Sequence, residues 1–129
     1  DRQVAYTVVG GFAAEEAGIS MECGGNDPQI TRWRLEDGER KVKKNPLTAD
    51  QFDGVWSKID ATGWRQLDEQ CENPAAESGD PVYMIDVADH ALSTTFNCDG
   101  KTLPFPYDRI INELDLRAAG FGEQDQGVR

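Results

Sequence analysis

Leu47-Thr48-Ala49-Asp50-Gln51-Phe52 decides how the rest of this 129-residue chain is read. Thr48 offers the short hydroxyl of an N-cap, and Gln51, three residues on, is the return partner of a capping box. Leu47 and Phe52 are spaced to staple the entry together. A helix therefore starts here. Phe52, Val55, Trp56 and Ile59 follow at i, i+3, i+4 and i+7, one apolar stripe of the kind that faces a core. Gly63 then supplies a left-handed stop.

Strand signals lie on both sides of that helix. Val4 to Val9 alternates and is rich in β-formers, Gly10-Gly11-Phe12 interrupts it, and Ile19 to Cys23 resumes with apolar residues two apart; two strands joined by a loop around Phe12 to Gly18 are expected. After the turn residues Asn26-Asp27-Pro28, Ile30 to Leu35 reads as a third strand. Asp37-Gly38 is the strongest hairpin signal in the chain. It leads to a fourth strand, Glu39 to Lys44, whose Arg40, Lys41, Lys43 and Lys44 fit an edge blunted against aggregation. The functional reading of the same cations is an acid-seeking patch.

Beyond the helix, residues 65–80 read as an acidic loop carrying Asp68, Glu69, Glu72, Glu77 and Asp80; the spacing is not that of an EF-hand. Val82 to Val87 and Leu92 to Cys98 form the next hairpin, around Ala88 to Ala91. The expected register sets Val87 against Leu92, Ile85 against Thr94, Tyr83 against Phe96 and Pro81 against Cys98. Pro104-Phe105-Pro106 redirects the chain, and Tyr107, Ile110, Ile111 and Leu114 give a second amphipathic helix. The expected order is β-β-β(-β)-α-β-β-α. This is an α+β fold, a mostly antiparallel sheet of about five to six strands with two helices on one face. One domain should span residues 4–120, with 121–129 a disordered tail.

Charge narrows the partners. Thirteen Lys and Arg against 24 Asp and Glu leave −11, a surface that repels nucleic acid and anionic lipid and suits a basic protein or a cation. No apolar run approaches the roughly 18 residues of a membrane span. Cys23, Cys71 and Cys98 are too scattered for a zinc ribbon or a redox pair. Cys23 shares a strand face with Ile19 and Met21 and reads as a buried free thiol. Cys71 and Cys98 are either bridged or reduced; bridged, they would fix the 65–80 loop and imply export, to an extracellular, periplasmic or lipid-anchored envelope location.

Catalytic groupings are weak. The only histidine, His90, sits in a hairpin turn with Asp86, Asp89 and Ser93 nearby, but a turn tip is open to water and lacks evident oxyanion donors. Glu15-Glu16 are adjacent on a surface loop, where solvent keeps both ionised. Gly10-Gly11 and Gly24-Gly25 lack the downstream glycine, helix or lysine of a phosphate cradle. The residues describe a protein that binds.

Gly10-Gly11-Phe12-Ala13 directly after the first strand, followed by two or three strands, the Leu47-Thr48-Ala49-Asp50-Gln51 helix start, a hairpin and a last helix, resembles the emfourin family of small bacterial proteins over roughly residues 4 to 116. That resemblance implies an inhibitor of thermolysin-like (M4) metalloproteases that works without a cofactor and is expected to be a monomer. It points to Gly10, Gly11, Phe12, Ala13 and Ala14 as the partner-binding segment. Ala14-Glu15-Glu16, the acidic 65–80 loop and the cysteines depart from the family pattern. Physically, a short loop between paired strands loses little entropy on docking, and Phe12 offers an apolar side chain to a specificity pocket. The other reading of the same residues makes Gly10-Gly11 a bulge, with Phe12 in the core. A different class of function is an exported or lipoprotein-type adaptor whose acidic face meets a basic partner.

Overall fold

The computed structural model describes residues 1–10, 15–24 and 27–127, with the backbone alone for Glu15 and residues 121–127. Six strands, β1 (Arg2–Gly10), β2 (Glu15–Cys23), β3 (Gln29–Glu36), β4 (Glu39–Pro46), β5 (Val82–Ala88) and β6 (Ser93–Asp99), form one sheet in the order β4-β3-β2-β1-β5-β6. Every neighbouring pair is antiparallel. Helix α1 (Ala49–Asp60) separates β4 from β5, and α2 (Tyr107–Gly127) follows β6. The fold is α+β.

Local signals account for most boundaries. Thr48 Oγ1 accepts from Gln51 N at 3.0 Å and Thr48 N donates to Gln51 Oε1 at 2.9 Å, the reciprocal capping box, with Leu47 and Phe52 both buried at its base. Asp37 and Gly38 both take positive φ, 52° and 76°, the two-residue hairpin turn whose twist matches its strands. Glu36 then pairs with Glu39.

Alternation divides the sheet into two faces. Val4, Tyr6, Ile19, Met21, Ile30, Ile85, Val87, Phe96 and Cys98 share one face, as their cross-strand pairings require. Both helices pack on it: Arg2 pairs with Asp53 of α1 at 2.9 Å, and Tyr6 Oη donates to Asp115 of α2 at 2.5 Å. The core closes with Phe52, Val55, Trp56 and Ile59 from α1 and Ile110, Ile111, Leu114 and Ala118 from α2. Trp64, fully buried just after Gly63, meets Trp56 edge-on with centroids 6.3 Å apart.

Several features differ from the sequence reading. The β5–β6 register is displaced by two residues, pairing Val87 with Thr94, Ile85 with Phe96 and Tyr83 with Cys98. A shift of two preserves which face each side chain occupies, so alternation could not distinguish the registers; the turn could. Asp89 N donates to Leu92 O, and Asp89 Oδ1 accepts from the N–H of Ala91 and of Leu92. This Asx-type turn consumes Leu92. Cys23 is half-buried rather than sealed, because it ends its strand. Finally, α2 continues past Gly120 to Gly127, where a disordered tail was expected; residues such as Glu123 and Gln124 are good helix formers, and two glycines cost too little to end an established helix.

The two edges of the sheet are treated differently. Along β6, Asn97 N donates to Glu69 O at 3.0 Å and Cys71 N to Asn97 O at 3.1 Å, so a short segment meets that edge at Asn97. The Cys71–Cys98 disulfide anchors it, with the two Cα atoms 5.0 Å apart. Asn73 Nδ2, donating to Asp99 O and Thr102 O, and Tyr107 Oη, donating to Asp68 O, hold the same loop. At the other edge β4 pairs with β3 alone among the strands.

Removing the cross-link by a Cys71→Ala/Cys98→Ala double substitution should lower unfolding free energy by about 2–4 kcal/mol in urea denaturation. An unchanged midpoint would mean that the Asn73 and Tyr107 bonds suffice. Gly18→Ala should cost roughly 1–3 kcal/mol in the same assay, because a Cβ there would lie 2.6 Å from Tyr6 O and 2.7 Å from Trp33 Nε1.

Candidate functional site

Gly10 and Glu15 are the last pair of the β1–β2 ladder. Gly10 has φ +92°, and Gly11, Phe12, Ala13 and Ala14 lie outside the described residues. β2 begins at Glu15, earlier than the loop to Gly18 that the sequence suggested. Ala17 and Gly18 are instead in β2, opposite Val8 and Thr7, and Glu15-Glu16 begin that strand, with Glu16 opposite Val9. β1 and β2 are the two middle strands, flanked by β5 and β3. The described ends of the β1–β2 connection, Gly10 and Glu15, lie one and two residues beyond the last rungs to β5 at Val9 and to β3 at Ala17.

The face turned away from the helices carries an apolar strip. Val9, Val82, Met84 and Val42 are four of the seven exposed large apolar side chains among the described residues, and all four fall on this face by register. Val9 and Val82 are cross-strand partners one step from Gly10, so the strip reaches the hairpin end. Trp33 occupies the space that Gly18 leaves by having no side chain, and the Arg40 guanidinium stacks on its ring at 4.1 Å. Trp33 and Gly18 were not singled out by the sequence, because their contact comes from the β2–β3 register.

Polar groups are mostly committed to structure. Burial, and then the Asp115 carboxylate, push the Tyr6 phenol up, while Asp115 is itself raised by desolvation against the opposing effect of its Tyr6 hydrogen bond. At the other end of β1's neighbours, Arg65 pairs with Asp60 at 2.5 Å and also with Asp89. The Arg65 guanidinium first, and then the Ala91 and Leu92 amides, hold the Asp89 carboxyl at about 2. His90 is exposed in the turn. The acids near it are engaged elsewhere: Asp89 with Arg65 and the turn amides, Asp86 by accepting from Thr95 Oγ1 at 2.6 Å. Among the described residues no three His, Cys, Asp or Glu side chains gather as metal ligands.

A groove of about 560 Å³ lies on the helix-bearing face beyond Tyr6 and Ile19, walled by Arg32, Arg34, Lys41 and Lys43. The cations of β4 were visible in the sequence, but their alignment with two arginines of β3 was not. No family model matches this chain, and no curated protein matches it.

Asp89 has a depressed pKa in the folded state, so its contribution to stability is complete above the ordinary value of 3.8 and is lost as pH falls through about 2. Melting temperatures followed from pH 5 down to pH 2 should therefore fall more steeply for the wild type than for Asp89→Asn. Parallel profiles would remove Asp89 from the acid response. In Tyr6→Phe the bond that lowers the Asp115 pKa is gone, and a carboxyl-detected NMR titration should place Asp115 higher than in the wild type.

Proposed function

We propose that this protein is a non-enzymatic binding protein that inhibits a thermolysin-like metalloprotease, with Gly10, Gly11, Phe12, Ala13 and Ala14 as the segment that enters the protease cleft. The observation that carries this reading is the in-register closure of β1 and β2 at Gly10 and Glu15 in the middle of the sheet. This rung extends past the last pairings to β5 (Val9 with Val82) and to β3 (Ala17 with Arg34), and a short connection between paired strands loses little entropy when it docks. The apolar strip of Val9 and Val82 beside that end supplies surface for a partner once the tip is seated. The sequence resemblance to emfourin supplies the class of target. The Cys71–Cys98 bond supports an oxidising location, extracellular or in the cell envelope, where secreted proteases also act.

Titration against a thermolysin-like protease should give stoichiometric loss of peptidase activity, with Phe12→Ala weaker by roughly tenfold or more. Absence of inhibition at micromolar concentrations would overturn the proposal.

A further inference from the structure

Six of the 13 Lys and Arg residues lie in the 18 residues from 29 to 46: Arg32 and Arg34 on β3, and Arg40, Lys41, Lys43 and Lys44 on β4. With Glu36, Asp37 and Glu39 the segment carries 6 − 3 = +3, whereas the rest of the chain carries −14, the remainder of the −11 total. The two strands align their charges as well. Arg32 is directly opposite Lys43, and Arg34 directly opposite Lys41; like charges facing each other across strands oppose folding. Arg34 is compensated by Glu36 at 2.5 Å, and Arg32 and Lys43 have interactions within the chain. Within β4 itself the charged residues are four cations and one acid, Glu39.

Lysines on an edge strand discourage pairing with other copies of the same chain, and an antiparallel β4–β4 contact here would set cation against cation. Simple blunting, however, needs no arginines on the inner strand. The same charges that reject a second copy select a strand of opposite sign. Among the described residues no strand pairs with β4 on its far side, whereas the disulfide-anchored Glu69–Cys71 segment bonds to β6 at Asn97.

We propose that β4 is a docking edge for an extended acidic segment of a partner protein, which adds as a seventh strand. Alternate side chains of that segment would meet different surroundings. On the helix-bearing face they meet Lys41 and Lys43 beside the groove of about 560 Å³. On the opposite face they meet Val42, flanked by Arg40 and Lys44 and backed by Trp33. The preferred chemistry is an alternation of carboxylates with small apolar residues. The proposal does not depend on the protease reading.

The test is calorimetric titration of the whole chain with an eight-residue peptide alternating Glu and Val, matched to the length of β4. Binding that weakens as salt rises, and that falls roughly tenfold or more in Lys41→Glu/Lys43→Glu, is expected, with circular dichroism confirming that the variant is folded. A Lys/Val peptide, or the Glu/Val peptide methylated at alternate backbone nitrogens, should bind at least about tenfold more weakly. Equal binding of the methylated peptide would overturn strand addition. Equal binding of the Lys/Val peptide, no binding at all, or tighter binding of inorganic polyphosphate would overturn the acidic-peptide assignment.

Discussion

Two helices do not cover six strands. Strands spaced about 4.8 Å apart make this sheet roughly 24 Å wide, whereas two helices packed 8–10 Å apart shield a band of about 20 Å including their flanks. The shielded band holds the buried residues of β1, β2, β5 and β6, together with Ile30 at the start of β3. The far part of β3 and all of β4 lie beyond it, and there the same face that carries Val4 and Phe96 elsewhere carries Arg32, Arg34, Lys41 and Lys43. Polarity along this face follows the shadow of the helices.

That mismatch of widths links the local chemistry to the protein's surfaces. Where the helices end, an antiparallel sheet can leave one face in water, and the side chains must then be charged or be covered by something else. The opposite face, with no helix at all, is mixed. Glu16, Ser20 and Glu22 stand on it beside Val9, Val82, Met84 and Trp33. Trp33 is tolerable there because it lies against Gly18 and under Arg40, contacts that leave it half-buried.

The covered edge has its own logic. Residues 65–80 make no strand and bring several acids, so they have little apolar surface with which to hold themselves on the fold. Backbone bonds to Asn97, the Cys71–Cys98 cross-link and the Asn73 and Tyr107 side chains do this instead. The result covers β6 at Asn97 and leaves β4 with β3 as its neighbour among the described strands. It also gives the protein two distinct ends, an acidic body and a basic arm.

Much of this was written in short-range pattern. The Thr48–Gln51 box, the Asp37-Gly38 turn, the alternation in β1 and β5 and the stripe from Phe52 to Ile59 are each settled by residues within a few positions of one another, so the α+β class and the element order follow from the chain alone. What needed the assembled structure were relations between residues far apart in sequence. The β5–β6 register escaped because a two-residue shift leaves every side chain on its own face, and only the Asp89 turn separates the alternatives. Tyr6 with Asp115, Gly18 with Trp33, and the alignment of Arg32 and Arg34 with Lys43 and Lys41 all depend on which strands become neighbours. Strand order is a global outcome, decided by how two helices and a cross-link can close over one face, and no local window of sequence contains it.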